Sequence, residues 1–330
     1  MAYDGSILRR ATAQYDEDKH RRNEQFRARK RMCFAKAPRL EEIDRELSQT
    51  MAKIIASAFR RSTDPRSAIE ALKEENLALQ RERGELLFSM GYPADYLEPK
   101  PGCSKCGDTG WIGSKMCTCL QRYYVREQNE ELSCMLDLGT QSFDTFDITY
   151  YSPTERYGRK KSAQQNMDDN YNTCVQFAHH FPSKLNNLLF SGAPGLGKTF
   201  LSACIAREVS AKGFSVVYDT ASHVFSRFEA RKFGRDDSDN DAENDVIRYL
   251  SCDLLIIDDL GTEMTTSFVQ SALYQIVNTR LLEHRATIIS TNLTPSLLED
   301  RYGAAIFSRL RGEYTFLPFY GEDIRKLKNR

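Results

Sequence analysis

Gly192-Ala193-Pro194-Gly195-Leu196-Gly197-Lys198-Thr199 limits what this chain can fold into more than any other stretch. An apolar run, Leu188-Leu189-Phe190, precedes it, and Phe200-Leu201-Ser202-Ala203-Cys204-Ile205-Ala206 opens a helical pattern behind it. Strand, glycine-rich turn and helix in that order make a phosphate-binding loop. The glycines let backbone N–H groups face phosphate oxygens, and the helix N-terminus adds partial positive charge. Lys198 would reach the β- and γ-phosphates, and the Thr199 hydroxyl would ligate Mg²⁺. The expected nucleotide contacts are Gly192, Pro194, Gly195, Leu196, Gly197, Lys198, Thr199 and Phe200, with ATP and Mg²⁺ as the ligands.

From about residue 185, apolar strands alternate with helical patterns, with strands expected at 187–191, 215–219, 254–258 and 287–291. That alternation predicts a parallel α/β sheet. Leu254-Leu255-Ile256-Ile257-Asp258-Asp259 is an apolar strand ending in two acids, 60 residues after Lys198. Ligands bind at the C-terminal ends of such strands. Asp258 would hold Mg²⁺ through water, and Asp259 would orient or deprotonate the attacking water. Thr287-Ile288-Ile289 leads into Ser290-Thr291-Asn292, which places Asn292 to bond the γ-phosphate or the lytic water. Read alone, that triplet is an ordinary strand-to-turn exit. Gly234 to Asp245 is acidic and Asn-rich and is expected to be a surface loop.

Seventeen residues after Asn292 stands Arg309, in Ser308-Arg309-Leu310-Arg311. In order and spacing, residues 192–199, 254–261, 290–292 and 308–310 resemble the AAA+ ATPases. Asp258-Asp259-Leu260-Gly261-Thr262-Glu263 resembles the branch that holds bacterial helicase loaders (DnaC and DnaI) and IstB transposition helpers. The resemblance covers about residues 140–330. It implies that Asn292 is sensor 1 and that Arg309 is an arginine finger acting on ATP bound to a neighbouring subunit, whereas its plain alternative is a helix-surface salt bridge. The acid is commonly Glu in AAA+ proteins, so Asp259, one methylene shorter, implies slow turnover. About 20 residues follow Leu310, too few for a full helical lid, and no sensor-2 arginine is assigned.

Cys103-x₂-Cys106 and Cys117-x-Cys119 lie ten residues apart among Gly102, Gly107, Gly110 and Gly113. Four thiolates on two tight knuckles suit a structural, tetrahedral Zn²⁺ site. The segment has few apolar residues and needs such a staple to fold. An iron–sulfur centre and unligated thiols are the alternatives. Cys33, Cys134, Cys174, Cys204 and Cys252 have no partner spacing.

The N-terminal part is expected to be one helix over residues 7–62, with an apolar stripe at Leu40, Ile43, Leu47, Met51, Ile54 and Ala58. Thr63-Asp64-Pro65 breaks it, Asp64 capping a second helix that carries Ile69, Leu72, Leu79, Leu86 and Leu87. Lys and Arg balance Asp and Glu at 46 each, so overall charge names no partner. Residues 1–40 nevertheless hold eleven Lys or Arg against five Asp or Glu. Such an arm either touches nucleic acid or is a solvated basic helix. No 18-residue apolar run predicts a membrane span, and the first residues lack the apolar core of a signal peptide. A cytoplasmic protein is expected.

The expected organisation is a helical, partner-binding region over 1–98, a four-Cys zinc module over 99–125, a linker and entry segment over 126–170 and an AAA+ P-loop ATPase domain with a parallel sheet over 171–330. Gly91-Tyr92-Pro93-x₂-Tyr96-Leu97 followed by the knuckle resembles bacterial and phage replication proteins with DnaC-like ATPase domains. The resemblance implies an ATP-switched helicase loader that binds a replicative DNA helicase and single-stranded DNA and self-associates through its ATPase domain. An IstB-like helper of a transposase and an ATP-regulated DNA-binding adaptor with little hydrolysis are the alternatives. A metabolic P-loop kinase fits less well, because it needs no arginine in trans.

Overall fold

Pro38 divides the N-terminal helical stretch. Helix α1 spans Gly5–Lys36 and α2 spans Pro38–Phe59, so the single helix expected over 7–62 is corrected to two. A proline has no N–H to bond back into a preceding turn, but its fixed φ suits the first position of a new helix. The chain is described by a computed structural model over residues 3–59, 65–133, 136, 140–183, 187–234 and 239–328. The expected cap at Asp64 and Cys134 lie outside these residues. So do the side chains of Met51, Ile54, Ala58 and Ile69.

Two units form: Ala13–Cys119, and Met1–Thr12 together with Leu120–Arg330. In the first, α2 packs on α3 (Pro65–Ser89). Cys33, Leu40, Leu87 and Leu97 form a buried cluster in it, with Phe34, Tyr92 and Tyr96 half-buried against them. Arg39 grips Glu82 across the two helices with two hydrogen bonds, at 2.8 and 3.1 Å. Strands β1 (Trp111–Ile112) and β2 (Lys115–Met116) form a short antiparallel hairpin between the two cysteine pairs.

Helix α4 (Thr118–Ser133) leads into the larger unit, two 3₁₀ turns follow at Phe143–Thr145 and Ile148–Tyr150, and α5 runs over Ala163–His180. Next come β3 (Asn187–Gly192), α6 (Lys198–Ala211), β4 (Val216–Thr220) and α7 (Ala221–Phe233). They are followed by α8 (Asp239–Ser251), β5 (Leu254–Leu260), α9 (Ser267–Leu282) and β6 (Ala286–Thr291). The chain ends in α10 (Pro295–Tyr302), α11 (Ala304–Glu313), β7 (Tyr314–Phe319) and α12 (Ile324–Lys328). The five long strands make a parallel sheet in the order β4-β5-β6-β3-β7.

Successive strand residues turn to opposite faces, so each strand serves two cores. Leu188, Phe190, Leu254 and Ile256 pack with residues of α5 and α6, whereas Leu189, Leu255 and Ile257 pack with residues of α7 to α11. At the open edge of β4, the Gln128 side chain stands in for a missing strand. Its amide donates to the Phe214 carbonyl at 2.8 Å, and its oxygen accepts from the Val216 N–H at 3.1 Å.

Two further features differ from the sequence-based expectation. Residues 239–245 are helical and not loop, because Ala242, Val246 and Tyr249 give α8 a buried stripe at spacings of four and three. A fifth strand, β7, pairs with β3 at the other edge. It contains Pro318, which an edge strand tolerates because the missing N–H leaves no internal bond unmade. No described helix is long and apolar enough to cross a membrane.

Candidate functional site

The register between β5 and β6 slips between Ile257 and Leu260. A bulge of this kind re-aims side chains at a strand end, and here it presents Asp258 and Asp259. Asp258 is 3% exposed, and its carboxylate is surrounded by donors. Oδ2 accepts from the Tyr218 hydroxyl at 2.6 Å and from Thr199 Oγ1 at 3.0 Å. Oδ1 accepts from Ser290 Oγ and, at 3.1 Å, from the Asp259 N–H. Asp259 itself is exposed and left-handed, with φ 55°. Its pKa is raised above the ordinary carboxylate value, first by desolvation and then by the neighbouring Asp258, with Lys198 and Arg325 opposing.

The glycine-rich loop lies between β3 and α6. Gly195 and Gly197 both have positive φ, 79° and 89°. A Cβ on Gly195 would meet Asp323 Oδ1 at 1.9 Å, and one on Gly197 would meet the Tyr151 hydroxyl at 2.6 Å. The left-handed conformation requires glycine at both positions, and the Asp323 and Tyr151 side chains occupy the space a Cβ would take. The Tyr151 hydroxyl donates to the Leu196 carbonyl at 3.0 Å, and the Ile324 N–H donates to the Gly195 carbonyl at 3.0 Å. Lys198 is buried, and its ammonium donates to the carbonyls of Gly192 and Ala193 at 2.6 and 2.9 Å. Burial holds its pKa below the ordinary lysine value against the pull of Asp259 and Asp258. Phe200 packs against Phe146 with ring centroids 5.9 Å apart.

Lys198, Thr199, Asp258 and Asp259 thus come together. Asn292 is exposed just past β6, its Oδ1 beside Gly261. Within the polar triplet, the side chain that reaches Asp258 is Ser290. Arg309 stands apart from all of these. On α11, its Nε donates to Asn278 Oδ1 at 3.1 Å, and its guanidinium lies 4.6 Å from the Tyr274 ring centroid. It lines a cavity of about 710 Å³ with Asn187 and Tyr314, the first residues of β3 and β7. The glycine-rich loop follows the opposite end of β3.

Sequence reasoning missed Tyr218, Ser290 and Arg325. Tyr218 and Ser290 sit one strand away from Asp258 on either side, a relationship that pairing creates and local pattern does not carry. Arg325 lies in the short α12, which β7 brings back over the loop, and its charge acts on both Lys198 and Asp259.

In the smaller unit the Sγ atoms of Cys103, Cys106, Cys117 and Cys119 all lie within 4.8 Å of one another. Cys103 and Cys117 are 3.7 Å apart, and Cys106 and Cys119 are 3.4 Å apart. Zinc–thiolate bonds of about 2.3 Å in a tetrahedron set sulfurs roughly 3.8 Å apart. The backbone around the sulfurs is tied down by Asp108, whose carboxylate accepts from the N–H groups of Gly102 and Cys103, each at 2.8 Å. The Cys106 pKa falls to about 6. Desolvation opposes this, but the Gly110 N–H and the other thiols outweigh it. The Tyr15 hydroxyl lies 3.7 Å from Cys119 Sγ.

Residues 163–330 match the family described as IstB-like ATP binding protein. The chain is 29% identical over 153 residues to the replicative helicase loader DnaC of Buchnera aphidicola subsp. Baizongia pistaciae, a match covering 46% of this chain and 61% of that protein. It is 28% identical over 136 residues to the replicative helicase loader DnaC of Escherichia coli (strain K12), covering 41% and 54%. The chain therefore spans less than two thirds of the length of these relatives. Among solved structures, that of the DnaC helicase loader is similar over 56% of this chain and 99% of that one, at 21% identity and a TM-score of 0.45.

Proposed function

The chain belongs to the IstB-like ATP binding protein family, and on that footing we propose that it is an ATP-switched loader of a replicative DNA helicase. The observation that carries the nucleotide chemistry is the presentation of Asp258 and Asp259 beside Lys198 and Thr199. Thr199 Oγ1 and Asp258 Oδ2, 3.0 Å apart, offer two oxygens at one point and fit Mg²⁺. When bound, the ion would neutralise charge on the β- and γ-phosphates. Lys198 holds those phosphates. Asp259 takes the proton of the attacking water, and its raised pKa makes it a better base for that step. Asn292 orients the same water. Arg309, remote from its own loop, serves a neighbour's nucleotide, and turnover is slow until subunits or DNA assemble around it.

The four thiols of the smaller unit hold one structural Zn²⁺ and fix its fold, and that unit contacts the helicase. Single-stranded DNA lies against an exposed patch on α7 and α9. Phe233 there is 59% exposed, 5.8 Å from the Phe268 ring, and the Lys232 ammonium lies 5.3 Å from each ring centroid. An exposed ring beside a cation can bind single strands by stacking and charge, with Phe268 half-buried behind Phe233.

The test combines the full chain with the purified replicative helicase of the same host, with and without ATP and single-stranded DNA. Light scattering should report a complex that ATP hydrolysis dissolves, leaving helicase on the DNA. No complex with the helicase, but one with a transposase encoded nearby, contradicts the loader reading.

A further inference from the structure

Glu263 stands four residues beyond Asp259 and is 9% exposed. Its Oε2 accepts from the Gly261 N–H at 2.9 Å, and its Oε1 accepts from the Tyr302 hydroxyl. Its backbone carbonyl accepts from the Arg301 guanidinium. A buried carboxylate is costly unless its lone pairs are satisfied; here one oxygen serves the turn after Asp259 and the other serves the end of α10.

That turn needs an external hold. Asp259 and Gly261 both have positive φ, 55° and 108°. A non-glycine residue in that region persists only where its surroundings over-determine it. Above it, the Asp259 N–H is held by Ser290 Oγ at 3.0 Å. Within it, the Asp259 and Leu260 carbonyls accept from Thr262 Oγ1 at 3.0 Å and Thr291 Oγ1 at 2.6 Å, and Glu263 is the side chain that holds the Gly261 N–H. A Cβ on Gly261 would meet the Leu293 side chain at 2.7 Å and Asn292 Oδ1 at 3.3 Å, so the turn lies close under the residues that follow β6.

The other end of the contact leads to Arg309. Tyr302 closes α10, and the chain passes through Gly303 alone into α11, which carries Arg309. The Arg301 carbonyl accepts from the Gln270 side chain at 2.9 Å, which ties the same corner to α9, the helix whose Asn278 holds Arg309.

We infer that Glu263 is a positioning residue that ties the Asp259 turn to the α10–α11 helix pair. One buried carboxylate thereby sets both the acid this subunit uses on its own ATP and the arginine it offers to a neighbour's. The inference rests on the roles proposed above for Asp259 and Arg309.

The test uses the full chain carrying Glu263→Ala, Glu263→Gln or Tyr302→Phe, with nucleotide affinity, KM, kcat and melting temperature measured for each. Glu263→Ala should leave ATP affinity and KM within about twofold while kcat falls roughly 10- to 100-fold, the usual cost of misplacing a reacting group by about an ångström. Glu263→Gln should recover most of kcat, since its amide oxygen can accept from Gly261 and its NH₂ can donate to Tyr302. An unchanged kcat in Glu263→Ala, or a Glu263→Gln as slow as it, overturns the inference. Should Glu263→Ala fail to fold, Tyr302→Phe keeps the ring and removes only the hydroxyl, and an unchanged kcat there is equally fatal.

The link to Arg309 is read by mixing subunits. Arg309→Ala plus Asp259→Asn protein is the control, and its failure to regain activity would overturn the trans role of Arg309 itself. Given an active control, Glu263→Ala protein should rescue Arg309→Ala protein poorly, because the arginine it offers is misplaced. Rescue equal to the control overturns the link.

Discussion

The Tyr218 hydroxyl donates to Oδ2 of Asp258 at 2.6 Å, the oxygen that Thr199 also reaches. A buried carboxylate beside a second acid keeps its charge at a cost, and charge-assisted donors offset it. Tyr218→Phe removes one donor and leaves the ring in place. Denaturant unfolding of the variant should show a loss of about 1.5–3 kcal/mol; an unchanged midpoint would mean that this bond contributes nothing to the fold.

Lys198→Ala removes the only cation that the loop itself supplies to the phosphates. Binding of a fluorescent ATP analogue should disappear. Affinity equal to that of the parent would contradict the nucleotide site as described.

Asp259→Asn should keep ATP binding and lose hydrolysis, since the base is gone and the loop is intact. Burial and Asp258 raise the folded pKa of Asp259 above its unfolded value. The folded state therefore binds the proton more tightly, and this group's contribution to stability is present below the unfolded pKa and lost as pH rises through the folded one. At neutral pH the Asn variant should melt no lower than the parent, and the difference should vanish in acid. Turnover of the parent should fall on the acid side at a pH above the ordinary aspartate range. A melting temperature lowered at neutral pH would contradict the account.

Much of this site is legible in the sequence, and the division has a physical basis. The glycine-rich loop and the buried strands that become β3, β5 and β6 are local patterns, readable because a fully buried strand must be a continuous apolar run. Tyr218, Ser290 and Glu263 are not, since each acquires its partner through pairing or packing across tens of residues. Helix α8 hides its stripe of Ala242, Val246 and Tyr249 under an acidic surface. Strand β7 hides behind Pro318.

Replacing Cys103 and Cys106 by Ser should release one zinc per chain and unfold the four-Cys module of residues 99–125 while the ATPase domain stays folded. Metal content by mass spectrometry and proteolysis of the two units would report this. A parent protein without zinc removes the metal from the account.

The proposed active site is completed by a second subunit, with Asp259 from one chain and Arg309 from the next. The direct measurement is ATP turnover by Arg309→Ala protein, by Asp259→Asn protein and by their mixture. Each alone should bind ATP and be nearly inert, because a trans arginine is worth about 10³–10⁵ in rate. The mixture should regain activity, since some interfaces then pair an intact Asp259 with an intact Arg309, and parent turnover per chain should fall on dilution. A mixture as inert as its components, with parent turnover per chain independent of concentration, would contradict it.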